Sequence, residues 1–597
     1  MRLVIADKKH HEGLMAVLRS SFVFGVLEPA VLDDLAEALE IETVEGGNLI
    51  LREGDAADSM LIVISGRLRV SRTNPDRTLR LYNEVSPGET VGESGMILQQ
   101  QRFADVTALR DSTIAVLHRE RFEALLMRHP VTLNRVFAQA IYHQLRHTPQ
   151  RSEQGRAHTL VVVPLHASSP ASEMANGLTD ALALYGQALR VDATIASNCP
   201  PDELEARFDF LIYQAEQQDS DWTRHAFRQA DQVVYVAAEG ETPGICDIER
   251  TLAAEPGFPM KRRHFALLHP ANATLPGDLS CWRAGRDVER TYPLRQGRQD
   301  DFSHLARFLI GRTVGVVLGG GGARGFAHLG VLRALEESQI PVDVIGGNSM
   351  GALIGAQYAN GLGLDEIREQ TMRFALGGER LTLPVISLLS GRRLERDLRR
   401  IFGDQRIERL WRPYFAAACN LTRACTTVQD SGPLWRAVLA SNSPAGLLPP
   451  VLHNGDLLVD GAILDNVPVG AMRSRLGTPL EQRRGNGGTI IAIDVDVRED
   501  MGVDPALARL SVRKTIKGYF SSAVEACPGI GDILYRAGHV GGLHQRGRTI
   551  AMADHYLQPP VASFPLMGYQ RSAEIAEVGY RYAMEEITRW ANPEILP

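Results

Sequence analysis

Ser349 lies in the pentapeptide Gly347-Asn348-Ser349-Met350-Gly351, a G-x-S-x-G. A serine hydroxyl attacks esters when it stands exposed on a sharp strand-to-helix turn with a base beside it. The pentapeptide alone says little. A chain of 597 residues with 55 glycines holds roughly 0.3 such matches by chance. A plain turn serine is the competing reading. The flanks favour chemistry: "PVDVI" (341–345) reads as a strand and "MGALIGAQYA" (350–359) as a helix, with the serine at the break.

A second strand, glycine loop and helix lie upstream in "VGVVLGGGGARGFAHLGVLRALEE", 314–337. Gly320, Gly322 and Gly325 form a G-x-G-x-x-G, which opens two chemistries. One is a dinucleotide turn, which needs an acid about 20 residues on. Asp343 has that distance but falls inside the strand that leads to Ser349. The other is an oxyanion hole, in which the amides of Gly320, Gly321 and Gly322 donate to the oxygen that becomes negative on attack. The second reading is favoured, because loop and nucleophile then share the C-terminal ends of neighbouring strands.

A nucleophilic serine needs a base. His328, in the helix after the glycine loop, and His453 read as packing or turn residues. Asp460 competes better: it follows an Asn454-Gly455 hairpin turn, ends the strand "LLV" and precedes Gly461. Asp-Gly is also a common turn pair, so only the three elements together argue for a base.

These elements must be positioned by folded domains. The length implies two to four of them. Residues 20–146 carry short strand-like runs about ten residues apart, a β-barrel or jelly roll, then a helical pattern in 132–147 and a polar linker. Residues 158–298 alternate apolar runs ("TLVVVPL", "LRVDATI", "FDFLIYQAE", "DQVVYVAAE", "HFALLHP") with helical stretches, an α/β domain of unknown role. They contain no G-x-x-x-x-G-K-[ST], so a working P-loop is not supported. Residues 311–500 form the α/β catalytic domain. Residues 501–597 are a C-terminal extension that packs on it, through a final helix with Ile575, Val578, Tyr582 and Ile587 near helical spacing.

The net charge of −7 and pI near 6.2 argue against nucleic acid as a partner. Six scattered cysteines show no C-x-x-C spacing, so neither zinc nor a disulfide framework is expected. No metal or other cofactor is required by this chemistry. The first twenty residues lack a signal-peptide core, and no run reaches the roughly 18 apolar residues of a spanning helix. The chain reads as cytoplasmic.

Taken in order, "GGGARG" (320–325), "GNSMG" (347–351) and "DGA" (460–462) resemble the patatin-like phospholipase family. "ASNSPAGLLPPV" (440–451) and "DNVPV" (465–469) agree with it. The resemblance implies a Ser349–Asp460 dyad without histidine, oxyanion donors at 320–322, and Arg324 as support of the loop. Residues 20–146 resemble a cyclic-nucleotide-binding domain: Gly92 and Glu93 match the ribose-contacting pair and Arg102 the phosphate arginine. Phe103 stands where that family usually has Ser or Thr, and Asp105 adds a negative charge. Both a cyclic-nucleotide regulator and a nonbinding module stay open. The domain order resembles bacterial relatives of neuropathy target esterase. That resemblance implies a phospholipid or lysophospholipid substrate and peripheral contact with the inner face of the membrane. A decayed hydrolase serving as a nucleotide-binding module is the alternative. The oligomeric state is open.

Overall fold

The structure is a computed structural model. It describes residues 24–73, 79–98, 100–130, 158–477, 487–496 and 545–590, with short pieces at 2–3, 14–19, 21, 132 and 541–542. The described residues form two compact units, one up to Ile310 and one from Gly311 on.

In the first unit, an N-terminal jelly roll stacks a five-stranded sheet on a four-stranded one. Strand Ser59–Ser65 is buried along its whole length and pairs with Ser112–His118, the central strand of the larger sheet. Apolar runs thus lie between the two layers, as sandwich packing requires. The domain begins before residue 20: Leu14, Met15 and Leu18 are buried in its core, and Arg2–Leu3 pairs with Glu40–Val44. The expected helix 132–147 and its linker lie almost wholly outside the described residues.

The same unit holds a six-stranded, all-parallel sheet. Its central strands, such as Gln232–Ala238, are near-continuous apolar runs because helices cover both faces. A sixth strand, Arg290–Arg295, escaped the sequence reading. Helix Gln299–Leu309 also belongs here, since the Phe302 ring lies where a Cβ on Gly177 would be. The middle domain therefore runs to 310 rather than 298. Jelly roll and middle domain meet at a buried ion cluster. Arg110, 1% exposed, pairs with Glu205 and with Asp231 at 3.0 Å, and Arg67 reaches Asp231 at 3.0 Å. Burial alone would push the Asp231 carboxyl up, but Arg67 and Arg110 hold it below its ordinary range.

The second unit is built on one mixed eight-stranded sheet. Its elements are β1 (Val314–Leu318), α1 (Ala327–Glu337), β2 (Val344–Gly347), α2 (Met350–Ala359), α3 (Leu364–Leu376), α4 (Arg392–Phe402), β3 (Tyr414–Asn420), β4 (Cys425–Gln429), α5 (Leu434–Ser441), β5 (Val451–His453), β6 (Asp456–Asp460), α6 (Val469–Leu476), β7 (Thr489–Ile493), β8 (His555–Leu557) and α7 (Ser572–Arg589). The strand order is β5-β6-β3-β2-β1-β7-β8, with β4 also pairing β3. The centre, β3-β2-β1-β7-β8, is parallel, and β4 and the β5–β6 hairpin are antiparallel additions. The described residues 545–590 are not a separate layer. Their strand β8 extends the sheet itself, pairing Ile491 to His555. Helix α7 crosses α1 so closely that a Cβ on Gly330 would lie 1.9 Å from Ala576 O, and one on Gly579 2.2 Å from Ala327 O. Ile575, Ala583 and Ile587 enter the core there, and Val578 and Tyr582 pack at its margin.

Candidate active site

Strands β1 and β2 run parallel with Leu318 opposite Gly347, so the loops that follow them leave the sheet side by side. In the loop after β2, Ser349 takes φ +50° and ψ −123°, a left-handed conformation that side chains adopt rarely and at a cost of about 1–3 kcal/mol. The turn is held by its neighbours. Ser349 N donates to Ser441 Oγ (2.9 Å), and Asn442 Nδ2 donates to Ser349 O (2.9 Å). The flanking glycines are steric necessities: a Cβ on Gly347 or Gly351 would lie 2.4 or 2.2 Å from Leu318 O. Ser349 is half-buried, and its hydroxyl makes no hydrogen bond among the described residues.

The glycine loop packs directly on the elbow. A Cβ on Gly320 would lie 3.1 Å from Ser349 Cβ. Gly320 N donates to Asn466 Oδ1, and Asn466 Nδ2 returns a bond to Gly320 O, both at 3.1 Å. Gly320 is thus clamped in this state. The amides of Gly321 and Gly322 make no hydrogen bond among the described residues, which leaves those two as open donors. Gly322, at φ +54°, needs to be glycine. The rest of the loop is tied to the C-terminal part of the chain, through Ala323 N to Leu566 O (2.8 Å) and Arg324 Nε to Phe564 O (2.8 Å).

Asp460 ends β6 opposite Ala418 of β3, and Gly347 pairs with Ala416 two residues earlier on β3. Ser349, two residues past Gly347, therefore leaves the sheet at the level of Asp460. Asn348 joins the two directly. Its Oδ1 accepts from Gly461 N (3.1 Å) and from Ser441 Oγ (2.9 Å). Asp460 is 6% exposed, and its Oδ1 accepts from Ala462 N at 3.0 Å, which fixes the carboxylate at the strand end.

The remaining sequence candidates fall elsewhere. Asp343 is buried just before β2 and accepts from Val314 N (2.9 Å), at the opposite end of β1 and β2 from the glycine loop. His328 is fully buried, with Nε2 2.8 Å from Gly319 O and no partner for Nδ1. Burial pushes its pKa down to about 4, against the pull of the Gly319 carbonyl, so it is neutral and structural. His453 sits in the β5–β6 hairpin. Asp465 is half-buried beside the loop, and desolvation pushes its pKa up to about 6.

Sequence reasoning gave no role to Asn348, Ser441, Asn442 or Asn466. All four lie inside segments quoted as motifs. Polar side chains in otherwise small, apolar stretches were the available signal.

In the jelly roll, Gly92 has φ +91°, and a Cβ there would meet Arg102 Nη1 at 2.6 Å. Arg102 is buried and donates to Gly92 O (3.1 Å), Ser59 O (2.6 Å) and Ser59 Oγ (3.1 Å). Glu93 is fully buried, with Thr90 Oγ1 at 3.2 Å. The three matched residues are therefore brought together, with the arginine turned onto the protein's own carbonyls. Asp105 is spent on Glu53 N (2.7 Å), and Phe103 is exposed, edge-on to Tyr82.

Comparison with known proteins gives three family matches: Patatin-like phospholipase over 316–473, Cyclic nucleotide-binding domain over 41–129, and Neuropathy Target Esterase family P-loop like domain over 202–292. Lysophospholipase nte1 of Aspergillus terreus is 28% identical over 96% of this chain and 43% of its own length. Patatin-like phospholipase domain-containing protein 7 of Rattus norvegicus is 29% identical over 94% of this chain and 46% of its own. Neuropathy target esterase sws of Drosophila melanogaster is 28% identical over 91% and 42%. The chain spans less than half the length of these relatives. With a cyclic-nucleotide-binding match and a P-loop-like match ahead of its patatin-like phospholipase match, the chain is similar in domain order to the neuropathy target esterase group of patatin-like phospholipases.

Proposed function

We propose that the chain is a serine esterase that hydrolyses the carboxyl esters of phospholipids or lysophospholipids. The observation that carries this is the strained elbow at Ser349, pressed against a glycine loop with two open amides and linked through Asn348 to the strand end that holds Asp460. Asp460 takes the proton as Ser349 Oγ attacks the acyl carbonyl. The amides of Gly321 and Gly322 receive the oxyanion, with Gly320 joining them if Asn466 lets go. The alcohol leaves with the proton from Asp460. Water, deprotonated by the same carboxylate, then frees the fatty acid from the acyl-serine. Arg324 keeps the loop in place. The names of the relatives support the lipid part of this reading. The test is to incubate pure protein with phosphatidylcholine and lysophosphatidylcholine and identify products by mass spectrometry. Free fatty acid is expected from the parent and none from Ser349→Ala. Equal release by both would refute it.

A second reading concerns the jelly roll: it senses a cyclic nucleotide and passes the signal on. Gly92, Glu93 and Arg102 would hold the ribose and phosphate, and the buried Arg110 contact with the middle domain favours transmission. Saturable cAMP or cGMP binding, lost in Arg102→Ala, is expected, together with a change in esterase rate. A rate that ignores saturating nucleotide refutes the regulation. Nucleotide binding without any hydrolysis would favour the decayed-hydrolase alternative.

A further inference from the structure

Between α3 and α4, residues 377–391 form an ordered loop with an apolar tip. Leu381 bridges Leu389, Thr382 N donates to Leu388 O (3.1 Å), and Ser390 N donates to Arg380 O (2.9 Å). Glu379 fastens the base, accepting from Leu394 N (2.6 Å) and Ser390 Oγ (3.0 Å). Yet Leu381, Leu383, Val385 and Ile386 are 83%, 81%, 86% and 72% exposed. Four large aliphatic side chains held in water by a hydrogen-bonded frame mark an interaction surface.

The charge beside the tip identifies the partner. Helix α4 starts at the loop's base. Its Leu398 and Phe402 are buried, and its opposite face carries Arg392, Arg396 and Arg400 at i, i+4 and i+8. All three are exposed and make no ion pair among the described residues. Residues 377–412 hold nine arginines against five acids in a chain of net charge −7. An apolar tip flanked by an arginine stripe is the pattern of a segment that enters an anionic lipid interface.

The loop is also wired to the site. Leu388 N and Leu389 N donate to Gly446 O and Leu447 O, both at 2.9 Å, and a few residues before them Asn442 holds Ser349 O. We propose that the 381–388 tip and the Arg392/Arg396/Arg400 stripe dock the catalytic domain on an anionic phospholipid bilayer, so that acyl chains reach Ser349 from the membrane. The proposal rests on the esterase reading of the same site and adds where the lipid comes from.

The test uses the full chain as Ser349→Ala, so that vesicles are not consumed. Co-sedimentation is measured with phosphatidylcholine vesicles, with and without roughly a quarter phosphatidylglycerol. Binding to the anionic vesicles alone is expected, weakening with salt. At on the order of five-fold per arginine, R392A/R396A/R400A should bind about a hundred-fold less. L383D/V385D/I386D should lose binding comparably. In the Ser349 background, both variants should hydrolyse a soluble short-chain ester at the parent rate, which shows that they fold. Parent-like vesicle binding by these variants overturns the proposal, as does failure of the parent to bind either vesicle. So does a dimer, by light scattering, that the tip substitutions dissociate, since the tip would then meet a second copy. Hydrolysis of monomeric lysolipid by the parent scores the esterase reading independently.

Discussion

Gly351→Ala isolates the packing of the elbow on strand β1. Residue 351 is the second of α2, and the backbone there is helical, so an alanine has no conformational cost. Its methyl, however, would lie 2.2 Å from Leu318 O, 2.5 Å from Leu318 C and 2.8 Å from Gly319 O. All three atoms are backbone, so no side chain can swing away. Restoring ordinary contact requires α2 and β1 to separate by about 1 Å. A misplacement of that size between nucleophile and oxyanion donors lowers kcat/KM by about a hundred-fold. Overpacking costs about 1–3 kcal/mol in stability. Gly355→Ala, one turn later, is the control. Its methyl meets Ile345 and Tyr414 at 3.5 Å, an ordinary contact, and the change adds up to about 1 kcal/mol of helix propensity. The assay is p-nitrophenyl butyrate turnover with thermal melts on the same preparations. Parent-like kcat/KM and stability in Gly351→Ala, or equal damage in Gly355→Ala, would refute the reasoning.

Three further outcomes are expected. His328 has its pKa pushed down to about 4, below the unfolded value near 6.5, so the unfolded chain binds the extra proton between these values. Its contribution is present above pH 6.5 and is lost as pH falls toward 4, by about 3 kcal/mol; melts of His328→Gln should show a shallower acid slope. Asp465, pushed up to about 6, works in the opposite sense, its penalty lifting as pH falls through 6, so the comparison between parent and His328→Gln is the informative one. Arg110→Ala leaves Glu205 buried without its cation and Asp231 with Arg67 alone, and should destabilise the first unit by about 3–5 kcal/mol in chemical denaturation. Asp460→Asn keeps an oxygen for Ala462 N, so the melting temperature should hold while ester turnover drops by about 10²–10⁴.

Strands β1, β2 and β6 were legible in sequence because each carries an apolar run that stops at a glycine-containing turn. Ser349, the glycine loop and Asp460 fall at such ends, and type plus spacing reveals them. The clamp was not legible. Asn466 reaches Gly320 across 146 residues, and Ser441 meets Asn348 across 93. Contacts at that separation have no local periodicity. The edge strand β8 and the sixth middle strand were missed for a related reason. Three residues, or a run such as Arg-Thr-Tyr-Pro-Leu-Arg (290–295), give no apolar stretch. The boundary at 298 failed because helix Gln299–Leu309 reads as amphipathic whichever sheet it covers, and only Gly177 against Phe302 decides. The loop 377–391 was hidden by composition: "LTLPVISLL" looks like core until its exposure is known.

The most direct measurement is covalent. Pure protein is treated with a fluorophosphonate probe, and the modified peptide is mapped by mass spectrometry. One adduct per chain on Ser349 is expected, absent from Ser349→Ala and slowed in Asp460→Asn. An active preparation that carries the adduct on another residue, or hydrolyses esters with Ser349 unmodified under saturating probe, would contradict the assignment of Ser349 as the nucleophile.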